Sequence, residues 1–263
     1  MVNFLKKDVY RFEDLVEILR ILRAPDGCPW DRVQTHLSNR RNFLEEAYEA
    51  AEAFDRDDPA LMCEELGDML MQVLFNIHIE EDAGRFTLDD VTDHICRKLI
   101  FRHPHVFGNE KAETSEQVLD NWDKLKREEK GQRTTADSMD SVARALPALW
   151  RADKLQSKAE KAGFRFRDSD GSLDKLEEEV RELREAVTRG TNVEEELGDV
   201  LFAAVNAGRY RDVDPEAALN AACEKFIRRF RAVERAAAQQ GQDMSQLPLQ
   251  ELTALWNAAK EQG

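Results

Sequence analysis

"EELGDML" at residues 64–70 and "EELGDVL" at residues 195–201 are the two stretches on which the fold turns. One acidic heptapeptide stands twice, at an offset of 131, with Met69 matched by Val200. Each copy sits inside a longer repeated order. Glu46 and Glu49 precede the first as E-x-x-E, and Glu179 and Glu182 precede the second. Lys98 and Arg102 follow the first, and Lys225 and Arg229 the second. Further on, Trp122 and Lys126 match Trp256 and Lys260 as W-x-x-x-K. The four offsets are 133, 131, 127 and 134. The same order at nearly constant spacing marks an internal duplication, and therefore two similar helical domains.

Helical periodicity runs through the rest of the chain. Val9, Phe12, Leu15, Val16, Leu19 and Leu22 predict a helix over 9–23, which "APDGCPWD" (24–31) stops with Pro and Gly. A second helix is expected over 39–56. Asp58-Pro59 opens a third, as N-cap and first helical residue, running to Gly84. Thr87 and Asp90 form a capping box for a fourth, to Arg102, and a fifth spans 115–129. The polar stretch "GQRTTADSMDS" (131–141) reads as a linker. Helices then follow over 142–162, 173–189, 193–210, 215–239 and 249–261, with "GFRFRDSDGS" (163–172) as a loop and Asp214-Pro215 repeating the cap-plus-Pro device. No alternating strand pattern occurs.

Composition agrees and excludes several classes of function. Only 12 Gly, 7 Pro and 3 Tyr stand among 263 residues, so turn and strand formers are sparse. The net charge of −15 repels nucleic acids and anionic lipid surfaces, so neither is an expected partner. Cys28, Cys63, Cys96 and Cys223 form no C-x-x-C pair, which argues against zinc and disulfides and for a reduced, cytoplasmic setting. The N-terminus lacks the features of a signal peptide, and no run of 18 apolar residues suits a membrane span.

The repeated acids carry the chemistry. With 53 acids in 263 residues, a lone pair three apart is ordinarily a solvated helix face, so the ordered set matters and the single pair does not. Residues three apart share a face, so Glu179 with Glu182 makes one acidic patch and Glu196 with Asp199 another. The short connection "RGTN" (189–192) makes their helices antiparallel neighbours. Gly198 is expected to permit close approach. Four converging carboxylates repel one another and need cations, and all-oxygen ligands select a hard ion, Mg²⁺ or Mn²⁺. A di-iron carboxylate bundle would need Glu-x-x-His, and none of the five His has Glu three before it. Lys225 and Arg229, one turn apart, suit phosphate oxygens. Lys260 is placed to reach phosphate, and Trp256 to stack on a base.

"EVRE" (179–182), "EELGD" (195–199) and "EKFIRRF" (224–230) together resemble the MazG family of nucleoside triphosphate pyrophosphohydrolases. "GCPWD" (27–31) and "IFRHPHVF" (100–107) resemble its two-domain bacterial members, so the resemblance covers nearly the whole chain. Phe101 is a small departure, where many members carry a second Arg. The resemblance implies an all-α fold with two tandem helical-bundle domains of the all-α NTP pyrophosphatase type, and a homodimer. It also implies Mg²⁺-dependent hydrolysis of NTPs and dNTPs between the α- and β-phosphates, giving monophosphate and pyrophosphate. By motif, Glu179, Glu182, Glu196 and Asp199 would hold the metal, Lys225 and Arg229 would grip phosphates, and Trp256 would contact the base. Glu178 and Glu195 are free of metal duties and are candidates for taking the proton.

The halves differ where it matters. Asn206 stands seven residues after Asp199, where the first half has Phe75 after Asp68; Lys175 stands four before Glu179, where the first half has Asn42. The second half thus offers an extra amide and an extra cation to a nucleotide. The expectation is a catalytic domain at 142–263, a linker at 131–141, and an auxiliary or weakly active domain at 1–130. The latter would carry a second site from Glu46, Glu49, Glu65, Asp68, Lys98, Arg102, Trp122 and Lys126. The alternatives are a non-enzymatic helical scaffold for divalent ions, and a relative specialised for dUTP or phosphoribosyl-ATP.

Overall fold

The computed structural model describes residues 4–165 and 168–261, except for the side chain of Asp120. Among them are thirteen α-helices, one 3₁₀ turn and no strand. The chain divides into two compact units at Lys126/Arg127. The first holds α1 (Phe12–Arg23), α2 (Pro29–Arg32), α3 (His36–Arg56), α4 (Pro59–Asp82), α5 (Leu88–Arg102), α6 (Pro104–Phe107) and most of α7 (Ser115–Glu129). The second holds α8 (Thr135–Asp140), α9 (Ala148–Lys161), α10 (Ser169–Arg189), α11 (Val193–Arg209), α12 (Pro215–Gln239) and α13 (Leu249–Glu261).

The caps are where the residue types place them. Asp58 accepts from the Ala60 and Leu61 amides at 3.0 and 3.2 Å to start α4, and Asp214 accepts from Ala217 at 2.9 Å to start α12. Each cap satisfies donors that the first helical turn leaves unpaired. Thr87 and Asp90 make the reciprocal capping box of α5.

Each unit is built on a long hairpin, α3 against α4 and α10 against α11, with one further helix laid on it, α1 on α4 and α9 on α11. In the first unit Val16, Leu19, Leu74 and Phe75 form the buried core. The ring of His78 donates from Nε2 to the Val16 carbonyl at 3.2 Å. In the second unit the matching position, Arg209, donates to the Asp153 carbonyl at 2.9 Å. The duplication therefore extends to the packing helix, with α9 the counterpart of α1.

Several elements differ from expectation. The first helix starts at Phe12, and Val9 before it is exposed rather than part of the buried face. The helix expected over 142–162 starts at Ala148, because Pro147 at its N-cap has a non-helical ψ of 138° and follows a turn at residues 143–146. The segment read as a linker contains α8, closed by a Thr134–Asp137 capping box and packed on α9 through buried Ser138. Its polar residues are capping residues rather than signs of an unstructured connection. The chain breaks at "GCPWD" and "HPHVF" each hold one helical turn, α2 and α6, with Pro at the first turn. α10 begins at Ser169, inside the stretch expected as loop, capped by Asp168 onto the Gly171 amide; Phe166 and Arg167 of that loop lie outside the described residues.

A polar network ties α3 to α4. Glu80 accepts from Arg85 Nε and Nη2 at 2.6 and 2.5 Å and also pairs with His36. Arg85 and then His36 hold its carboxyl down at about 2. His36 is held above its ordinary value, by Glu80 first and Asn76 second. A depressed acid stabilises the fold above its unfolded value, here 4.5, and loses that contribution as pH falls toward about 2. A raised His stabilises below 6.5 and loses its contribution as pH rises through its folded value. Glu80→Gln is therefore expected to lower the melting temperature most between these values, near pH 5–6. The deficit should shrink toward pH 2–3, and a pH series of melting curves checks it.

Candidate metal centre

α10 and α11 are joined at residues 190–192, where Gly190 and Asn192 take left-handed backbone with φ of 70° and 57°. Gly adopts that region without penalty and Asn tolerates it, so the chain reverses in three residues. The reversal lays the first turns of α11 beside the middle of α10. Glu179 from α10, and Glu196 and Asp199 from α11, each bring an oxygen within 4.8 Å of the others. Glu182 stands outside this three-oxygen group but close enough to act on it. Glu196 is held above the usual carboxylate range, first by burial and then by the charges of Glu182, Asp199, Glu195 and Glu179.

The first unit repeats the arrangement on α3 and α4. Glu46, Glu49 and Glu65 approach within the same 4.8 Å, with Asp68 outside the group. Glu46 is raised by burial, then by Asp68 and Glu49, against a hydrogen bond from Gln72. Glu65 is raised by burial, then by Glu49 and Glu64. Both halves of the duplication thus bring together three of their four expected carboxylates.

The groups differ in what answers their charge. In the second unit Lys175 Nζ donates to Glu179 at 2.8 Å and to Glu178 at 2.9 Å, and these bonds hold its pKa above the ordinary lysine value. In the first unit Asn42 occupies that position, and Gln72 instead links Glu46 to Asn39, whose amide reaches the Gln72 carbonyl at 2.8 Å. Gln72 escapes sequence reasoning because a glutamine two positions past an acidic motif gives no periodic signal.

Each group is an all-oxygen set of crowded carboxylates, and the charged form is disfavoured at Glu46 and Glu65 in the first and at Glu196 in the second. That is the donor chemistry of a hard divalent cation, which would supply the charge these oxygens lack. Gly67 and Gly198 do not serve the close packing expected of them: a Cβ built on either meets nothing within 4 Å.

The remaining expected residues are spread over several helices of each unit. In the second, α12 packs on α13 and on α9, while the carboxylates lie on α10 and α11. Lys225 is exposed on α12, and Arg229 is half-buried, its Nε enclosed without a hydrogen-bond partner. Trp256 is half-buried against Phe226, ring centroids 5.1 Å apart, and Lys260 is exposed with Asn257 at 3.4 Å. Glu195 is exposed in the first turn of α11. Asn206 faces a cavity between α9 and α11. In the first unit Lys98 and Lys126 are half-buried, and buried Arg102 lies over the Trp122 ring at 5.2 Å. Arg102 and Trp122 therefore support each other, rather than standing open as a phosphate grip.

Comparison with known proteins adds an independent line. The model of the MazG nucleotide pyrophosphohydrolase domain matches residues 34–107 and again 168–233, so both carboxylate groups fall inside matched segments. A Thermotoga maritima protein named nucleoside triphosphate pyrophosphohydrolase/pyrophosphatase MazG is 41% identical over 249 residues, 95% of each chain. The nucleoside triphosphate pyrophosphohydrolase of Escherichia coli K12 is 40% identical over 257 residues, 96% of this chain and 98% of its own. Bacillus subtilis YabN, of uncharacterised function, is 43% identical over 96% of this chain and 52% of its own length. Together with the doubled family match and the all-helical tandem units, these identities show that the chain belongs to the MazG nucleotide pyrophosphohydrolase family.

Proposed function

We propose that this chain hydrolyses nucleoside triphosphates, NTPs and dNTPs, between the α- and β-phosphates to the monophosphate and pyrophosphate. The observation that carries the reading is the Glu179–Glu196–Asp199 group, an oxygen site for a divalent cation inside a family-matched segment. The cation we assign is Mg²⁺, with Mn²⁺ as a substitute. When bound, it would neutralise phosphate charge and favour attack at phosphorus. Glu179, Glu182, Glu196 and Asp199 would hold it. Lys175 would exchange Glu178 and Glu179 for a phosphate oxygen, and Glu178 or Glu195 would take the proton of the attacking water. One P–O bond forms to that water, the α–β bridging bond breaks, and its electrons leave with pyrophosphate. We assign catalysis to residues 142–263 and an auxiliary or weakly active role to 1–130. The role that fits a broad triphosphate substrate is house-cleaning of nucleotide pools in the cytoplasm. Among the described residues no helix is long and apolar enough to cross a membrane.

A homodimer belongs to this reading. Leu197 and Leu201 on α11 are 48% and 49% exposed, and Phe226 on α12, beside Lys225, is 55% exposed. Apolar faces of this kind call for a partner surface. A second copy would cover them and bring Lys225 and Arg229, whose own helix packs mainly on α13 and α9, toward the carboxylates of its partner. Sedimentation at micromolar concentration is expected to give twice the chain mass, and a monomer mass contradicts the dimer.

The test of the activity is a panel of ATP, GTP, CTP, UTP and the dNTPs with Mg²⁺ or Mn²⁺, products separated by chromatography. Monophosphate and pyrophosphate should accumulate in equal amounts. A panel in which the chain binds Mn²⁺ but hydrolyses nothing would instead make it a divalent-ion scaffold.

A further inference from the structure

We propose that the cavity between α9 and α11 is the nucleobase pocket of the second unit, with Gln156 and Asn206 reading the polar edge of the base. The inference rests on the proposed triphosphate substrate and says where its base goes.

The cavity holds about 500 Å³ and is walled mainly by apolar atoms, Phe202 and Tyr210 among them. That is the size and lining of a small-molecule site, with a few polar groups to fix orientation. Gln156 is one of those groups. It is 6% exposed, and its Nε2 donates to the Phe202 carbonyl at 2.7 Å. A backbone carbonyl only accepts, so this bond fixes which way the amide faces. Oε1 is left buried without a hydrogen-bond partner. A buried acceptor with no donor is costly, and a ligand N–H would meet it. Asn206, on the facing helix, can both donate and accept. Every common base carries an N–H beside an acceptor on its pairing edge, and aromatic side chains suit its faces.

The duplication shows how the space arose. Aligning the bond from His78 to Val16 with that from Arg209 to Asp153 sets Leu19 opposite Gln156, Leu22 opposite Ala159 and Phe75 opposite Asn206. In the first unit Leu19 and Phe75 are core residues, 2% and 6% exposed, with Leu22 packed on them. In the second unit all three are replaced by smaller or polar side chains. The core of one unit is thus the cavity of the other, and the amides stand where side chains were lost. The position also suits the substrate. Asn206 lies seven residues beyond Asp199 on α11, two turns or about 10 Å of helix rise, a span for ribose and α-phosphate to bridge. This pocket, rather than Trp256 on α13, then sets base preference.

The experiment is calorimetric titration of the full chain with adenosine, guanosine, cytidine and uridine, without metal. It is paired with kcat and KM for the four triphosphates. At least one nucleoside should bind the native chain. Gln156→Leu restores the first unit's residue and Asn206→Ala avoids overpacking; each should weaken that binding about tenfold or more. For the triphosphates each should raise KM more than it lowers kcat, and change the order of preference among bases. A packing role alone would lower all four bases equally. No nucleoside binding, or unchanged binding and preference in both variants, overturns the assignment. So does loss of base preference in Trp256→Ala alone. Nucleoside binding that responds to both variants, in a chain that hydrolyses no triphosphate, would keep the pocket and refute the activity; hydrolysis without nucleoside binding would do the reverse.

Discussion

Glu196→Ala should lower kcat/KM for a good triphosphate by at least ~100-fold, about 2.7 kcal/mol of transition-state stabilisation. Glu196 contributes to the three-oxygen group from the first turn of α11, and burial together with four acidic neighbours disfavours its charge. Its removal takes a ligand from the cation while relieving repulsion in the apo chain, so helical content should not fall. Glu65→Ala deletes the matching acid of the first unit and should cost under ~10-fold if that unit is auxiliary. Both units assemble a group, so the ratio of the two losses carries the information. Equal losses would mean that both units catalyse or that they are coupled. A larger loss from Glu65→Ala would move catalysis to the first unit.

Lys175→Met should cost between ~10- and ~150-fold in kcat/KM, the range for a hydrogen bond to a charged group at about 1.5–3 kcal/mol. Two roles of Lys175 pull in opposite directions. On the substrate complex it would be a phosphate donor, so its loss slows hydrolysis. On the apo chain it sits on Glu179 at 2.8 Å, competing with a cation for that carboxylate. Its loss should therefore leave Mn²⁺ affinity equal or higher while activity falls. Mn²⁺ titration followed by electron paramagnetic resonance, beside steady-state kinetics, separates the two. A parallel fall in metal affinity and activity would make Lys175 a brace for the carboxylates instead of a phosphate ligand. Asn42, its counterpart, is neutral and offers no such competition in the first unit.

The local rules of helix chemistry made most of the fold legible. Asp58-Pro59, Asp214-Pro215 and the Thr87–Asp90 box each carry both a donor's partner and a backbone preference in two or three residues, so α4, α12 and α5 begin where those residues say. The heptapeptide repeat and "RGTN" likewise put Glu179 beside Glu196 and Asp199. What escaped was set by packing. α8 reads as linker because its residues are small and polar, yet Ser138 is buried against α9. Gly198 invited a packing reason that the neighbouring helix does not supply. Gln156 carries a signal in the sequence: Ala152, Leu155 and Ala159 mark the apolar stripe of α9, and a glutamine stands within it. An amide in an apolar stripe has either an internal partner or a ligand, and only the fold reveals that half of this one has neither. That the helix of Lys225 and Arg229 packs mainly on α13 and α9 was equally hidden, since motif order says nothing about which helices pack together.

The most direct test of the account is ³¹P nuclear magnetic resonance of ATP incubated with the full chain and Mg²⁺, before and after excess EDTA. Signals of AMP and pyrophosphate should grow together while those of ATP decline, with no orthophosphate or ADP as primary products, and the reaction should stop on chelation. ADP with orthophosphate, or an undiminished rate in EDTA, would contradict cation-assisted cleavage between the α- and β-phosphates.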